Sequence, residues 1–296
     1  GLETTLIFHR GIELPQFASY TLLEKPGGRE ILEQYFIEYL EIAAEFGYGF
    51  ILESVGWRAN PDWAKKLGHS PAQLAEFTRQ SIDMLIDLRD RYAGRIESVV
   101  VSGCIGPRGD GYVASDIMTP EVAEKYHGEQ VRLYAESPAD FITAMTITNI
   151  PEAIGIVRAA EKEKMPAVIS FTVETDGKLP SGEELEQAIA ETDRACATPP
   201  IYYMINCAHP THFEKSLPAG AEWTSRIGGL RANASSKSHA ELNDSTELDI
   251  GKPSALGLQY RDLLLRHPQI RVLGGCCGTD SRHVREIALA CATCSG

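Results

Sequence analysis

Two cysteines stand side by side in Leu273-Gly-Gly-Cys-Cys-Gly-Thr279, directly after an apolar run, and a third, Cys207, follows Tyr202-Tyr-Met-Ile-Asn206 in the same relative place. Glycines around adjacent thiols free the backbone for paths that bring neighbouring side chains to one point. Thiolates are soft ligands that favour zinc, and three protein ligands with an open fourth position describe a catalytic zinc site, whereas a structural site is closed by four. Such a site activates thiols, because a coordinating thiol is deprotonated outright and stays nucleophilic at neutral pH. An isolated cysteine reads more simply as a small buried hydrophobe, and a redox pair is a further alternative. Three cysteines at two strand ends favour the metal, with Zn2+ as cofactor and Cys207, Cys276 and Cys277 as its ligands. Cys104, in Ser102-Gly-Cys-Ile-Gly-Pro107, follows a strand and reads as packing near the pocket. Cys196 reads as helix core, and the CxxC of Cys291 and Cys294 lacks a second pair and reads as structural.

The elements that must position these residues are legible as apolar, β-branched runs alternating with amphipathic segments, the order of parallel strands joined by crossover helices. The runs are Tyr48–Ser54, Ser98–Gly103, Phe141–Met145, Ala167–Thr172, Ile201–Asn206, Ile227–Leu230 and Ile270–Leu273. Helical spacing of apolar residues covers Glu30–Phe46, Pro71–Tyr92, Pro120–Ala135, Pro151–Lys164, Gly182–Cys196, Pro253–Leu265 and Ser281–Ala290. Ser70 before Pro71, Thr119 before Pro120 and Asp280 before Ser281 supply helix-start chemistry. These repeats predict a (β/α)8 TIM barrel, α/β in class and a single domain over residues 1–296, whose first strand is short, degenerate or partly upstream of Gly1. Barrels carry their chemistry where strands end, so the irregular stretches Val55–His69 and Asn233–Lys252 belong on the face that holds the cysteines.

Composition narrows the partners. With 43% hydrophobic and 23% charged residues the chain is that of a folded globular protein. A net charge of -13 disfavours nucleic acid and acidic membrane surfaces, both of which need clustered lysine and arginine. No run is long enough to span a bilayer and no signal-peptide order opens the chain, so a cytoplasmic enzyme of small molecules is expected, with its oligomeric state unassigned. Seven cysteines, an odd number, do not read as a disulfide framework, and reduced thiols are expected.

The motif Gly274-Gly-Cys-Cys-Gly-Thr279, with Asn206-Cys207 upstream, resembles the homocysteine S-methyltransferase family. Gly1-Leu-Glu-Thr4, Trp57-Arg-Ala-Asn60, Gly103-Cys-Ile-Gly-Pro107, Ile169-Ser-Phe-Thr172 and Arg231-Ala-Asn-Ala234 follow in the family's order. The resemblance implies a barrel methyltransferase in which Cys207, Cys276 and Cys277 bind zinc and homocysteine supplies the fourth sulfur. The donor it implies is S-methylmethionine, S-adenosylmethionine or a similar compound. Folate- or cobalamin-dependent relatives are expected to carry further domains, and the betaine enzyme a C-terminal arm, for which a chain ending at Gly296 leaves no room. It also implies a glutamate for the substrate's amino group at the end of the fourth barrel strand, where this chain has Met145. Met145, Glu53 and Asn206 are therefore the candidate substrate contacts. Glu53 reads equally as a grip for an ammonium group or as a structural carboxylate. His209 reads as an orienting or loop-packing residue beside Cys207. Trp57, Trp63, Tyr112 and Trp223 offer aromatic faces to an onium donor, or pack. The alternatives are the same zinc chemistry on another thiol, favoured by Met145, and a non-catalytic barrel that binds zinc or thiols.

Overall fold

The computed structural model describes residues 1–292, so Cys294 of the CxxC lies outside the described residues. Seven strands form one parallel sheet in chain order: β1 (Phe50–Glu53), β2 (Val99–Ile105), β3 (Phe141–Ile147), β4 (Ala167–Phe171), β5 (Tyr203–Asn206), β6 (Ile227–Ala232) and β7 (Val272–Gly275). Each falls within two residues of an apolar run named above. Helices Gly28–Phe46, Pro71–Arg91, Pro120–Ala135, Ile150–Glu163, Leu185–Ala195, Pro253–Arg266 and Ser281–Cys291 alternate with them. Their starts follow the sequence chemistry. Ser70 and Gln73 form a reciprocal capping box, and the side chains of Thr119 and Asp280 accept from backbone N–H groups of the first turns they precede.

The sheet is curled but not closed. The eightfold barrel expected from the repeats is met in part: seven parallel strands are present among the described residues, and β7 and β1 do not pair. Residues ahead of Gly28, where a first strand was expected to be short, degenerate or partly upstream of Gly1, make short helical turns over Leu2–Thr4, Thr5–His9, Pro15–Phe17 and Ser19–Glu24. They carry no period-2 apolar alternation, and Pro15 and the left-handed Gly11 interrupt the run. A cleft of about 520 Å³ lies between β7 and β1, lined by residues that include Tyr35, Tyr39, Glu53, Arg231 and Val272.

Two cores hold the sheet. The larger lies between strands and helices and includes Leu52, Val101, Ile142, Ile169, Ile205 and Leu230, all fully buried. A smaller one fills the inside of the curl with Phe141, Val168 and Met204, packed by Ile51, Val100, Tyr202 and Val272. Strand side chains alternate faces, so stepping by two from Phe141 through Thr143 puts Met145 on the inner face at the C-terminal end of β3, and stepping from Met204 puts Asn206 at the same end of β5. Of the two stretches expected to be irregular, the first contains the helix Pro61–Leu67 and the second the helix His239–Asn243. No helix among the described residues is long and apolar enough to cross a membrane.

Candidate active site

Cys207 leaves β5 in a left-handed conformation, φ 53°. Its N–H donates to the Arg231 carbonyl and that of Cys276 to the Ala232 carbonyl, at 3.2 and 2.8 Å. β6 therefore aligns the two cysteine loops from between them. Gly275 is required here, since a Cβ on it would come within 2.1 Å of Thr279 Oγ1, and Gly278 turns the loop with φ +79°. The three sulfurs of Cys207, Cys276 and Cys277 lie within 4.8 Å of one another. A tetrahedral zinc site with bonds of ~2.3 Å separates its sulfurs by about 3.8 Å, a spacing that sulfurs grouped this closely could take up once all three are free thiols. In this structure Cys207 and Cys276 are joined as a disulfide across a Cα–Cα distance of 5.4 Å, and the Cys277 thiol is free. The same sulfurs serve either bond, so coordination by all three requires the reduced state.

A polar frame ties the two cysteine loops together. Asn233, 2% exposed, donates from Nδ2 to the Cys207 carbonyl at 2.9 Å and accepts from the Cys277 N–H at 3.0 Å. His239 Nε2 donates to the same Cys207 carbonyl at 2.8 Å, and its Nδ1 lies 2.9 Å from the Glu174 carboxylate. The Tyr112 ring stacks on His239 at 4.2 Å, and its hydroxyl donates to Cys277 Sγ at 3.3 Å. Burial pushes the Cys277 thiol above its ordinary value, and the Tyr112 hydrogen bond works against that shift. Sequence reasoning took Tyr112 only as an aromatic face and missed the positions of Asn233, His239 and Glu174. The available signal was that Asn233 and His239 fall in the long stretch after β6, on the face where the strands end.

Asn206 is buried and joins three strands. Its Oδ1 accepts from Thr146 N at 2.9 Å and Ser170 Oγ at 2.7 Å, and its Nδ2 donates to Thr146 Oγ1 at 2.8 Å and faces Cys276 Sγ at 3.8 Å. Thr146 takes a left-handed φ of 64° to make this exchange, where the pairing of β3 with β4 shifts register. Met145 is 5% exposed beside it, and its carbonyl accepts from the Trp57 indole N–H at 3.3 Å. Glu53 is paired with the Arg231 guanidinium in the cleft between β1 and β7. Of the expected aromatic faces, Trp57 and Trp63 enclose the buried Arg58 guanidinium at 4.1 and 4.0 Å, and Lys66 also sits over Trp63. Trp223 precedes β6 and lies at the opposite end of the strands from the cysteines. His209 caps the turn Pro210–Phe213 through Nδ1, which is the loop role, and burial lowers its pKa to about 4. Cys104 is a buried free thiol, and Cys196 and Cys291 belong to the core.

A seven-stranded parallel curl gathers three sulfurs that could hold a metal ion at its C-terminal strand ends, the place where barrels carry their chemistry. The sequence model of the homocysteine S-methyltransferase family matches residues 1–291, and the chain belongs to that family of methyltransferases. It is 23% identical to Homocysteine S-methyltransferase 1 of Arabidopsis thaliana, covering 97% of this chain and 90% of the relative. It is 24% identical to Selenocysteine Se-methyltransferase of Brassica oleracea var. italica, covering 97% and 86%. Among solved structures, the metallated form of the homocysteine methyltransferase MmuM from Escherichia coli superposes with a TM-score of 0.74 at 18% identity, covering 95% of this chain and 91% of that one. That likeness establishes the fold.

Proposed function

We propose that this chain, one barrel domain over residues 1–296, transfers a methyl group in the cytoplasm to the thiol of homocysteine, giving methionine. The donor is S-methylmethionine, S-adenosylmethionine or a similar compound, and Cys207, Cys276 and Cys277 hold zinc. The observation that carries the reading is the convergence of these three sulfurs within 4.8 Å at the strand ends. Zinc bound there would keep the substrate's thiol deprotonated at neutral pH. The rest is positioning. Asn206 fixes the ends of β3, β4 and β5 around Cys276, and Asn233 fixes the Cys207 loop against the Cys277 loop. Attack of the substrate sulfur on the donor methyl forms one S–C bond as the donor's own bond to that methyl breaks. The leaving group departs as a neutral thioether, so no general base is needed once donor and acceptor are held in line.

A second reading keeps the chemistry and changes the acceptor. Met145 occupies the inner end of β3, and Glu53, at the end of β1, is committed to Arg231, so neither position offers an unpaired carboxylate to an α-amino group. A thiol without that group would then serve as well. The test is a screen of thiols against donors on the reduced, zinc-loaded protein, with product identified by mass and zinc by elemental analysis. About one zinc per chain and a methylated thiol are expected. Zinc held equally by a Cys207→Ala, Cys276→Ala, Cys277→Ala triple variant would overturn the metal assignment, and no methylated product from any pair would overturn the reaction.

A further inference from the structure

Under the proposed function, a methyl donor able to alkylate the substrate sulfur meets three protein sulfurs in the same site. Methylation of a ligand cysteine would disable the enzyme, so the chain must direct the methyl group away from its own thiolates. The residues differ in exposure: Cys207 is 4% exposed, whereas Cys276 and Cys277 are partly exposed. The sulfurs of the latter two each face a hydrogen-bond donor, Asn206 Nδ2 at 3.8 Å from Cys276 and the Tyr112 hydroxyl at 3.3 Å from Cys277. The contact at Cys277 is the closer. It comes from a residue on the loop after β2, with no backbone continuity to the cysteine loops.

That phenol is held by a chain of specific contacts. Its ring lies on the His239 imidazole, with centroids 4.2 Å apart and planes 14° from parallel. His239 is in turn fixed at both nitrogens, by the Cys207 carbonyl and the Glu174 carboxylate. The imidazole that braces one cysteine loop therefore also places the hydroxyl that caps the sulfur of the other. A thiolate that accepts a hydrogen bond has part of its charge withdrawn, and the lone pair so engaged must be freed before it can attack carbon.

We propose that Tyr112 and His239 are positioning residues that protect Cys277 from alkylation, so that the substrate's thiolate, and not the protein's, receives the methyl group. The proposal rests on the zinc-thiolate reading above, but its test uses neither acceptor nor natural donor. Reduced, zinc-loaded protein is treated with methyl iodide. A cysteine sulfur forms an S–CH3 bond as the C–I bond breaks and iodide leaves, and methylation at Cys207, Cys276 and Cys277 is followed separately by peptide mass spectrometry. Tyr112→Phe keeps the ring on His239 and removes only the hydroxyl. Losing a hydrogen bond to a charged sulfur should raise the Cys277 rate about tenfold or more, leaving Cys276 and Cys207 within about twofold of wild type. In the cobalt-substituted protein the same variant should shift the thiolate-to-metal charge-transfer band, which a packing role for the phenol would leave in place. An unchanged Cys277 rate, or equal acceleration at all three cysteines, would overturn the assignment. Either result leaves the methyl-transfer reaction to be judged by the thiol screen alone.

Discussion

Asn233→Ala tests whether the two cysteine loops are held by one side chain. The asparagine is almost fully buried and makes two hydrogen bonds, one to each loop. Removing them costs about 1 kcal/mol each. The consequences for the two partners differ. The Cys207 carbonyl keeps His239 as a donor, so it is not orphaned. The Cys277 N–H loses Asn233 Oδ1 and, where no water replaces it, adds a further ~1–3 kcal/mol for an unsatisfied buried group. The sum, roughly 3–5 kcal/mol, is a large share of the ~5–15 kcal/mol that holds a typical protein folded. Because the loss falls on residues that orient ligands, zinc affinity should fall about 10- to 100-fold. Urea unfolding measures the first quantity and competition with a colorimetric chelator the second. Asn233→Asp, which keeps an acceptor for the Cys277 N–H but loses the donor to Cys207, should recover part of the loss. Stability within about 0.5 kcal/mol of wild type, together with unchanged metal affinity, would refute the bridging role.

Met145→Glu places a carboxylate on the inner face at the end of β3. It should raise the preference for homocysteine over its des-amino analogue about tenfold, the value of a charge-assisted hydrogen bond to the ammonium group. Steady-state kinetics on the two thiols decide it, and a wild-type preference that the substitution leaves unchanged or reduces would assign the amino group to another residue. Asp280 caps the last helix. Burial pushes its carboxyl up, but the hydrogen bonds from Arg282 and His283 outweigh that and hold it well below the usual carboxylate range. A depressed folded-state pKa stabilises the protein above the unfolded value of about 4, and that stability is lost as pH falls. Asp280→Asn, which retains a capping oxygen, should therefore cost stability at pH 6 and progressively less below pH 4. Parallel denaturation curves at several pH values check this, and a pH-independent difference would refute it.

The positions of strands and helices were legible because two periodicities, 2 and 3.6, were written into apolar residues with caps between them. Pro71, Pro120 and Pro253 open their helices as read. Asn149, whose side chain accepts from the Glu152 N–H to start the helix Ile150–Glu163, was not recognised as a cap. Closure was legible only in part. Counting repeats predicts how many strands a sheet would need, whereas pairing depends on an edge partner. Residues 1 to 24 bury Leu6, Tyr20 and Leu22 in helical turns and contribute no strand to the sheet.

Convergence of the site was legible because each cysteine sits at a strand end, where a barrel gathers side chains from distant parts of the chain. The frame around it was not. Asn233 and His239 act through hydrogen bonds to the carbonyl of Cys207, and a backbone carbonyl leaves no trace in residue type or spacing. Tyr112 lies 165 residues from the sulfur it contacts, on a loop with no periodic signal. Glu53 marks the same limit from the other side. Its type and strand-end place suit an ammonium grip, yet Arg231, two residues before Asn233, claims it across the cleft. Sequence exposes the groups that carry chemistry because their types are rare and their spacing is constrained. The residues that aim them are common polar types, and their roles exist only once β6 has brought the two cysteine loops together.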